Sequence, residues 1–250
     1  DYIDKKIIDL LVKFNVTTVE LGVQSLDENV LKQSHRFYPV EKVYEASKMI
    51  KDAGIQLGIQ LMLGLPGSTC KSDYNSAKKV VEIRPDIARI YPTLIIKETE
   101  MAEMFKEGTY KPLTIEEAVN SCKKIYSLLE YNDINVVRVG LQPTEELNDS
   151  ENVLGGPYHP AFRELVEGEI YFDFLTRDRF SNSNLEIEVN EKNVSKIVGM
   201  KKINKDRLGK RFNLKINKNL NQETIVINGK IYTRKEVLRG EIDEPNNNKC

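Results

Sequence analysis

The chain has 250 residues, of which 40% are hydrophobic and 30% are charged, and its formal net charge is −1. This balance is typical of a globular protein with one large domain or two smaller ones. No apolar run reaches the roughly 18 residues that a membrane-spanning helix requires, which excludes such a helix.

Charge and cysteine content are unevenly distributed. Residues 181–250 hold 15 Lys or Arg against 9 Asp or Glu, whereas the rest of the chain is acidic. A basic segment on an acidic body suggests an anionic partner for that segment. Cys70, Cys122 and Cys250 are far apart, form no metal or disulfide spacing, and fit a reducing cytoplasm.

The first 67 residues predict two strands that end in polar groups. A helix over residues 4–14 precedes a strand that ends at Gln24 and Ser25. A helix beginning near residue 40 leads to a second strand over 55–65, which the GLPG turn breaks. Strand, helix, strand in this order indicates a parallel sheet, and ligands of such sheets lie at the carboxyl ends of the strands.

Gln24, Ser25, Arg36 and residues 60–67 should therefore lie around one edge of the sheet. One interpretation is a site for a small polar molecule with a carboxylate for Arg36. The other is that Gln24 and Ser25 cap a strand and Arg36 is a solvated loop residue.

Later elements predict further strands and weaker site candidates. We expect a helix over 73–81, a strand over 87–96 that Pro92 kinks or ends, a helix that Thr114 caps, and a strand over 134–141. Arg89 and Arg138 fall in neighbouring strands, where they either bind an anionic substrate in a barrel lumen or pair with an acid or solvent. Tyr91 lies beside Arg89 and is a further weak catalytic candidate.

His159 lies in a loop between proline-rigid residues. It is a candidate for acid–base chemistry or a substrate contact. The alternative is a helix-entry motif, in which Pro160 occupies the first helical position.

The basic tail follows a predicted linker over residues 176–184. Its order of strand, helix, loop, helix and strand resembles a KH module, whose glycine loop clamps a nucleic-acid backbone. The loop here is GMKK (residues 199–202) and lacks the second glycine of the KH pattern. Either the tail binds RNA or it is a solvated basic helix on a capping domain. The RNA-binding candidates are Gly199, Lys201, Lys202, Lys205, Arg207, Lys210 and Arg211. We expect residues 241–250 to be disordered.

Several strings together resemble the second half of a radical S-adenosylmethionine (SAM) domain, in the group of the Elongator catalytic subunit and the oxygen-independent coproporphyrinogen oxidases. They are GVQS after a strand, an Arg twelve residues beyond the Gln, a strand ending in GLPG, and the later strings IYPTL, GTYKP and GPYHPAFRELVE. The resemblance implies that Gln24 and Arg36 contact SAM, with Arg36 on the methionyl carboxylate. It also implies that Gln60 contacts the ribose and the backbone of Met62 the adenine.

The resemblance implies a second cofactor, a [4Fe-4S] cluster held by thiolates of a Cys-x3-Cys-x2-Cys loop. No such loop occurs in this sequence, which also starts with Asp1 inside a predicted helix. We therefore expect the cluster ligands, and the first barrel strands, upstream of Asp1, and a chain that is inactive alone.

The expected fold is α/β. Residues 1–146 would form the later strands of a partial parallel (β/α) barrel of the radical SAM type, 147–180 an extension and linker, and 181–250 a small α+β KH-like module. The expected function is a fragment of a cytoplasmic enzyme that uses SAM and an electron donor to generate a 5′-deoxyadenosyl radical for the modification of RNA, with tRNA as the expected substrate. The alternatives are a non-catalytic RNA-binding protein on a degenerate barrel and a porphyrinogen-oxidase-like enzyme acting on a small molecule.

Overall fold

The computed structural model describes residues 3–148, 151–180 and 183–242. The chain divides after Pro160 into two compact units, each with its own sheet. The division differs from the predicted extension and linker over 147–180, because the helix that starts at Phe162 belongs to the second unit. Within the described ranges, no helix is both long and apolar enough to cross a membrane.

The first unit alternates helices and strands. Its helices are α1 (Lys5–Lys13), α2 (Glu28–Gln33), α3 (Val40–Asp52), α4 (Cys70–Ile83), α5 (Glu100–Lys106), α6 (Ile115–Tyr131) and α7 (Glu145–Asn148). Its strands are β1 (Thr18–Gln24), β2 (Gln56–Leu63), β3 (Ile87–Pro92), β4 (Ile95–Ile96), β5 (Asn135–Val139) and β6 (Val153–Gly155). β1, β2, β3 and β5 pair in that order and all are parallel, which confirms the predicted parallel α/β fold.

Local sequence signals fix where several of these elements begin and end. Of the two predicted outcomes for the strand over 87–96, a kink or an early end, the structure shows the end: β3 stops at Pro92, which has no N–H to continue the ladder. Thr114 caps α6 in a reciprocal capping box with Glu117, which confirms the predicted N-cap. The short helix α2 was not predicted; Asp27 caps it by accepting from the amides of Asn29 and Val30.

β2 lies between β1 and β3, and its two faces differ. Leu57, Ile59, Leu61 and Leu63 are at most 2% exposed and pack on the side of α3, α4 and α6. The opposite face carries Gly58, Gln60 and Met62. Gln24 and Gln60, two of the polar residues predicted at the strand ends, meet on this face.

An ion pair crosses that polar face from β1 to β3. Arg89 donates from Nη2 to Glu20 Oε1 at 2.8 Å, and its Nη1 donates to the Tyr91 hydroxyl at 3.3 Å. Gly58 pairs in register with Glu20 and leaves the space between the two strands open. A Cβ at Gly58 would lie 2.6 Å from Glu20 Cγ and 3.0 Å from Ile87 Cγ1.

The second unit combines helices with a mixed sheet. Its elements are α8 (Phe162–Thr176), β7 (Leu185–Val189), α9 (Val194–Val198), α10 (Ile203–Leu208), β8 (Phe212–Ile216), β9 (Thr224–Ile227), β10 (Lys230–Thr233) and α11 (Arg234–Ile242). The sheet order is β10-β9-β7-β8, with β7 and β8 parallel. The predicted order of strand, helix, helix and strand is present, while the likeness to a KH module stays a prediction.

The end of the second unit differs from the sequence-based expectation. Asn228 and Gly229 form a tight hairpin between β9 and β10, with φ of 50° and 77°. The helix α11 follows at once, and it was not predicted. Most of the segment expected to be disordered, residues 243–250, lies outside the described residues.

Replacing Gly58 with Ala should disrupt the ion pair, because the added methyl group would displace Glu20. We expect a loss of about 1–3 kcal/mol in the free energy of unfolding, the usual range for overpacking. Gly155→Ala is the matched control, since its Cβ would meet only ordinary contacts of 3.4 Å and longer. Chemical denaturation of both variants checks this, and equal stability of the two would contradict it.

Candidate functional site

The two predicted strand ends meet at the polar face of the sheet. Gln60 of β2 donates from Nε2 to the side-chain oxygen of Gln24 at 3.1 Å. Gln24 is 7% exposed and has a φ of 61°, and the pairing of β1 with β2 shifts between Leu21 and Gln24. Such a bulge re-aims a side chain at a strand end. The structure therefore brings together two of the residues that the sequence analysis selected.

Arg36 lies on the same rim as Gln24. Its Nη1 donates to the carbonyl of Gly22 at 3.4 Å, and the Tyr38 hydroxyl donates to the carbonyl of Val23 at 2.7 Å. Burial raises the pKa of Tyr38, and the Arg36 guanidinium counteracts the rise. The loop between α2 and α3 is thus fastened to the last residues of β1, with the half-buried Arg36 at the carbonyl two residues before Gln24.

Ser25 has a different environment from Gln24. It is 1% exposed, and its hydroxyl lies 3.3 Å from that of Ser76 on α4. Ser76 also accepts from the amide of Leu26, and Lys79 donates to the carbonyl of Leu26. These contacts hold the end of β1 against α4, so the contact of Ser25 with a ligand stays a prediction.

The GLPG turn after β2 is held from two sides. Asp73 of α4 accepts from the amide of Gly64 at 3.2 Å, and the Tyr110 hydroxyl donates to the carbonyl of Gly64 at 2.5 Å. Gly64 has a φ of 73°, and a Cβ there would lie 2.8 Å from the Leu113 side chain. Both peptide groups of this turn residue are therefore fixed two residues beyond Met62.

Burial changes the acidity of the two groups that hold the turn. Desolvation raises the pKa of Asp73 to about 7, although the hydrogen bond from the Gly64 amide favours the carboxylate. Burial, together with the nearby Asp73 charge, raises the pKa of Tyr110 to about 12. Near neutral pH, Asp73 therefore exchanges a proton while Tyr110 keeps its own.

Asp73 and Tyr110 were not among the site residues predicted from the sequence. Asp73 shares the buried stripe of α4 with Ser76, Ala77, Val80 and Ile83, so helical spacing could have placed it on the inner face. A buried acid needs a hydrogen-bond partner, and the neighbouring turn supplies one. No comparable pattern marks Tyr110, which lies in the irregular segment before α6.

The four catalytic candidates have different surroundings. Arg89 is paired with Glu20, which agrees with the predicted alternative that this arginine pairs with an acid. Tyr91 lies in register with Met62 on the same face of the sheet. Arg138 lies in register with Arg89 and donates to Gln142 at 3.4 Å.

His159 is partly buried and follows a close contact with β3. Gly156 packs on residues 93–94, since a Cβ there would lie 2.7 Å from the Thr93 carbonyl oxygen. β6, which ends at Gly155, also pairs with β4. This packing brings the loop that contains His159 close to the carboxyl end of β3, and catalytic roles for His159 and Tyr91 stay predictions.

The predicted RNA-binding residues of the second unit fall into two groups. Arg207 forms two hydrogen bonds with the Glu169 carboxylate, at 2.6 and 3.1 Å, and lies over the Phe172 ring. Arg211 donates to the carbonyls of Phe180 and Ser183. These two arginines bind other residues of the second unit. The lysines of the predicted set are exposed, namely Lys201, Lys202, Lys205 and Lys210.

Gly199 is buried against α8. Its Cα lies 3.5 Å from the position of a Cβ at Gly168, and its own added Cβ would lie 2.9 Å from Asn204 Cγ. Asn204 donates to the carbonyls of Gly168 and Ile197. Packing thus explains the glycine without a ligand, and a contact of Gly199 with RNA stays a prediction.

Comparison with known proteins identifies the class to which the chain belongs. The family model of the radical SAM superfamily matches residues 1–72, and that of the Radical_SAM C-terminal domain matches 85–171. Together the two cover more than half of the sequence. The chain belongs to the radical SAM superfamily, which confirms the resemblance stated above.

Individual relatives show which proteins the chain resembles within this superfamily. A tRNA uridine(34) acetyltransferase from Methanocaldococcus infernus is 39% identical over 122 residues, which cover 48% of this chain and 23% of that protein. Elongator complex protein 3 of Saccharomyces cerevisiae is 33% identical over 132 residues, which cover 52% of this chain and 24% of that protein. A solved structure, the archaeal Methanocaldococcus infernus Elp3 with an N-terminal deletion, matches with a TM-score of 0.59 and 29% identity over 70% of this chain and 40% of that one. The chain spans about a quarter of the length of the curated relatives it matches.

The raised pKa of Asp73 predicts a pH dependence of stability. An unfolded aspartate has a pKa of about 3.9, so the folded state holds the proton more tightly. The protonated carboxyl stabilises the folded state fully below about pH 4, and this stabilisation is lost as the pH rises through about 7. The free energy of unfolding should fall by on the order of 4 kcal/mol over this range. Asp73→Asn should remove this slope from the free energy of unfolding.

Denaturant titrations of the wild type and Asp73→Asn between pH 4 and pH 8 measure the difference. Asp52→Asn is the control, because Asp52 lies on the surface of α3 in an ion pair with Lys48. Parallel stability curves for the wild type and Asp73→Asn would contradict the prediction.

Proposed function

We propose that the protein containing this chain binds SAM at the carboxyl ends of β1 and β2 and uses it in a radical modification of RNA. The observation that carries the proposal is the Gln24–Gln60 hydrogen bond with Arg36 on the same rim. Membership of the radical SAM superfamily supports the choice of ligand. The parallel sheet supports its location, since ligands bind at this edge of parallel strands.

Each residue has a role that suits its chemistry. Arg36 binds the methionyl carboxylate, because a guanidinium offers paired donors to a carboxylate. Gln24 contributes an amide that both donates and accepts, and Gln60 hydrogen-bonds a ribose hydroxyl. Met62 offers its backbone to the adenine, next to the turn that Asp73 and Tyr110 hold. When bound, SAM would supply a 5′-deoxyadenosyl radical after one-electron reduction of its sulfonium, with methionine as the leaving group.

The residues of this chain do not fit a [4Fe-4S] cluster. A cluster needs several thiolates in one place, and the three cysteines of the sequence are widely spaced. Across residues 3–148, 151–180 and 183–242, no group of three or more His, Cys, Asp or Glu side chains is arranged to hold a metal ion. We therefore assign no step of the reaction to cluster ligands in this chain.

RNA is the substrate class that the relatives and the charge distribution favour. A relative is named as a tRNA-modifying enzyme, and the second unit carries four exposed lysines around the loop between α9 and α10 and the end of α10. Lys201 and Lys202 both have positive φ, 50° and 66°, a backbone conformation that non-glycine residues seldom adopt. Exposed cations bind phosphates chiefly by counterion release, so binding by this group should depend strongly on salt.

Arg36→Ala should weaken SAM binding by about 1.5–3 kcal/mol, the scale of a hydrogen bond to a charged group. Equilibrium dialysis with labelled SAM, on the anaerobically reconstituted full-length protein, measures the change. Lys32→Ala is the control, since Lys32 is an exposed cation on the neighbouring helix α2. Unchanged SAM affinity in Arg36→Ala would remove Arg36 from the site.

Replacing Lys201, Lys202, Lys205 and Lys210 with Ala should weaken RNA binding and flatten its salt dependence. Each phosphate contact that is lost should reduce the slope of log K against log salt by about 0.7–0.9. The control replaces four exposed lysines of the first unit, Lys5, Lys6, Lys13 and Lys32, which changes the net charge equally. Filter binding across a salt series compares the two sets of lysine substitutions. Equal slopes of log K against log salt for the two variants would show that the charge acts only non-specifically.

A further inference from the structure

The loop between α2 and α3 exposes a large aromatic ring beside the candidate SAM site. Phe37 is 79% exposed, although it directly follows Arg36 and precedes the fastened Tyr38. Single exposed apolar residues are ordinary on protein surfaces, so exposure alone carries no inference. The surroundings of the ring decide whether it has a use.

The Phe37 ring stacks on a second ring of the same loop. The His35 ring stacks on it, with centroids 5.9 Å apart and an interplanar angle of 23°. His35 Nδ1 in turn lies 3.0 Å from the Glu100 carboxylate. His35 has a φ of 54°, the left-handed conformation that is common directly after a helix, here after the C-cap Ser34 of α2. The two stacked rings therefore form an aromatic platform on the surface of this loop.

The position of the platform links it to the site. Tyr38 and Arg36 bind the carbonyls of Val23 and Gly22, at the end of β1. Glu100 begins α5, which follows β3 and β4 along the chain. The contact of His35 with Glu100 thus links the loop after α2 to the segment beyond β3, at the carboxyl edge of the sheet.

The size and chemistry of the platform favour one kind of occupant. A stable protein interface buries about 800 Å² on each side, which far exceeds one phenyl ring. A nucleobase needs only one aromatic face, and unpaired bases stack on Phe and His side chains in single-stranded RNA complexes.

We propose that Phe37, supported by His35, is a stacking platform for an unpaired base of the RNA substrate beside the SAM site. This inference rests on the proposed function, because it takes RNA as the substrate. It adds a recognition element in the first unit that is independent of the lysines of the second unit.

The 250 residues of this chain contain no tryptophan, so Phe37→Trp gives the chain a single tryptophan reporter. A base stacked on the indole should quench its fluorescence as a single-stranded RNA oligonucleotide of mixed sequence is added. A duplex of the same sequence should not quench it, since its bases are already stacked. Phe14→Trp is the matched control, because Phe14 is also a surface phenylalanine, 67% exposed, after α1.

Phe37→Ala should lower the affinity for the single-stranded oligonucleotide roughly 5- to 150-fold, the range for one stacked base, with an unchanged salt slope. Phe14→Ala should leave the affinity unchanged. SAM affinity, measured separately, should stay at the wild-type value in both variants.

The outcomes separate this inference from the proposed function. RNA binding to Phe37→Trp without quenching, or with quenching equal to that of Phe14→Trp, would overturn the platform alone. No RNA binding by the wild-type protein would overturn RNA as the substrate and the platform with it. A blue shift of the Phe37→Trp emission with rising protein concentration, in the absence of RNA, would show a protein contact and would also overturn the inference.

Discussion

The parallel pairing of β1 with β2 is the constraint on which the candidate site depends. Their register shifts by one residue between Leu21 and Gln24, and Gln24 takes a left-handed φ of 61°. The shift allows the Gln24 side chain to meet Gln60 at 3.1 Å. A bulge of this kind costs ladder hydrogen bonds and strain, and it persists only where neighbouring contacts fix it.

Those neighbouring contacts come from several elements. Lys79 and Ser76 of α4 hold the segment after β1. Tyr38 and Arg36 donate to carbonyls within the last three residues of β1 itself. Asp73 and Tyr110 hold the turn after β2 through both peptide groups of Gly64. The polar groups at the strand ends are thus positioned by hydrogen bonds, of which those of Ser76, Asp73 and Tyr110 are buried, and hydrogen bonds are geometrically more restrictive than apolar packing. Such restraint is what a binding site for a small polar ligand requires.

The sequence predicted the elements better than it predicted their contacts. Alternating apolar residues and the turn after β2 indicated the parallel sheet, and Pro92 marked the end of β3. The partner of Arg89 could not be predicted, since it lies on β1, two strands away, and Gly58 between them makes the contact possible. Register between strands distant in sequence depends on the whole sheet and not on local pattern.

The basic residues of the second unit show a related limit. Arg207 and Lys205 look alike in the sequence, yet Arg207 binds Glu169 and Phe172 of α8 while Lys205 is exposed. The helix α8 was expected to be part of an extension, so its acid could not be considered as a partner. Charge clusters in a sequence therefore overestimate the cations that remain available for a ligand.

The structure of the full-length protein with bound SAM tests the central claim most directly. The account predicts the methionyl carboxylate at the Arg36 guanidinium and the ribose within hydrogen-bond distance of Gln60, both at the carboxyl ends of β1 and β2. SAM bound at a different edge of the sheet, with the Gln24–Gln60 hydrogen bond left facing solvent, would contradict it.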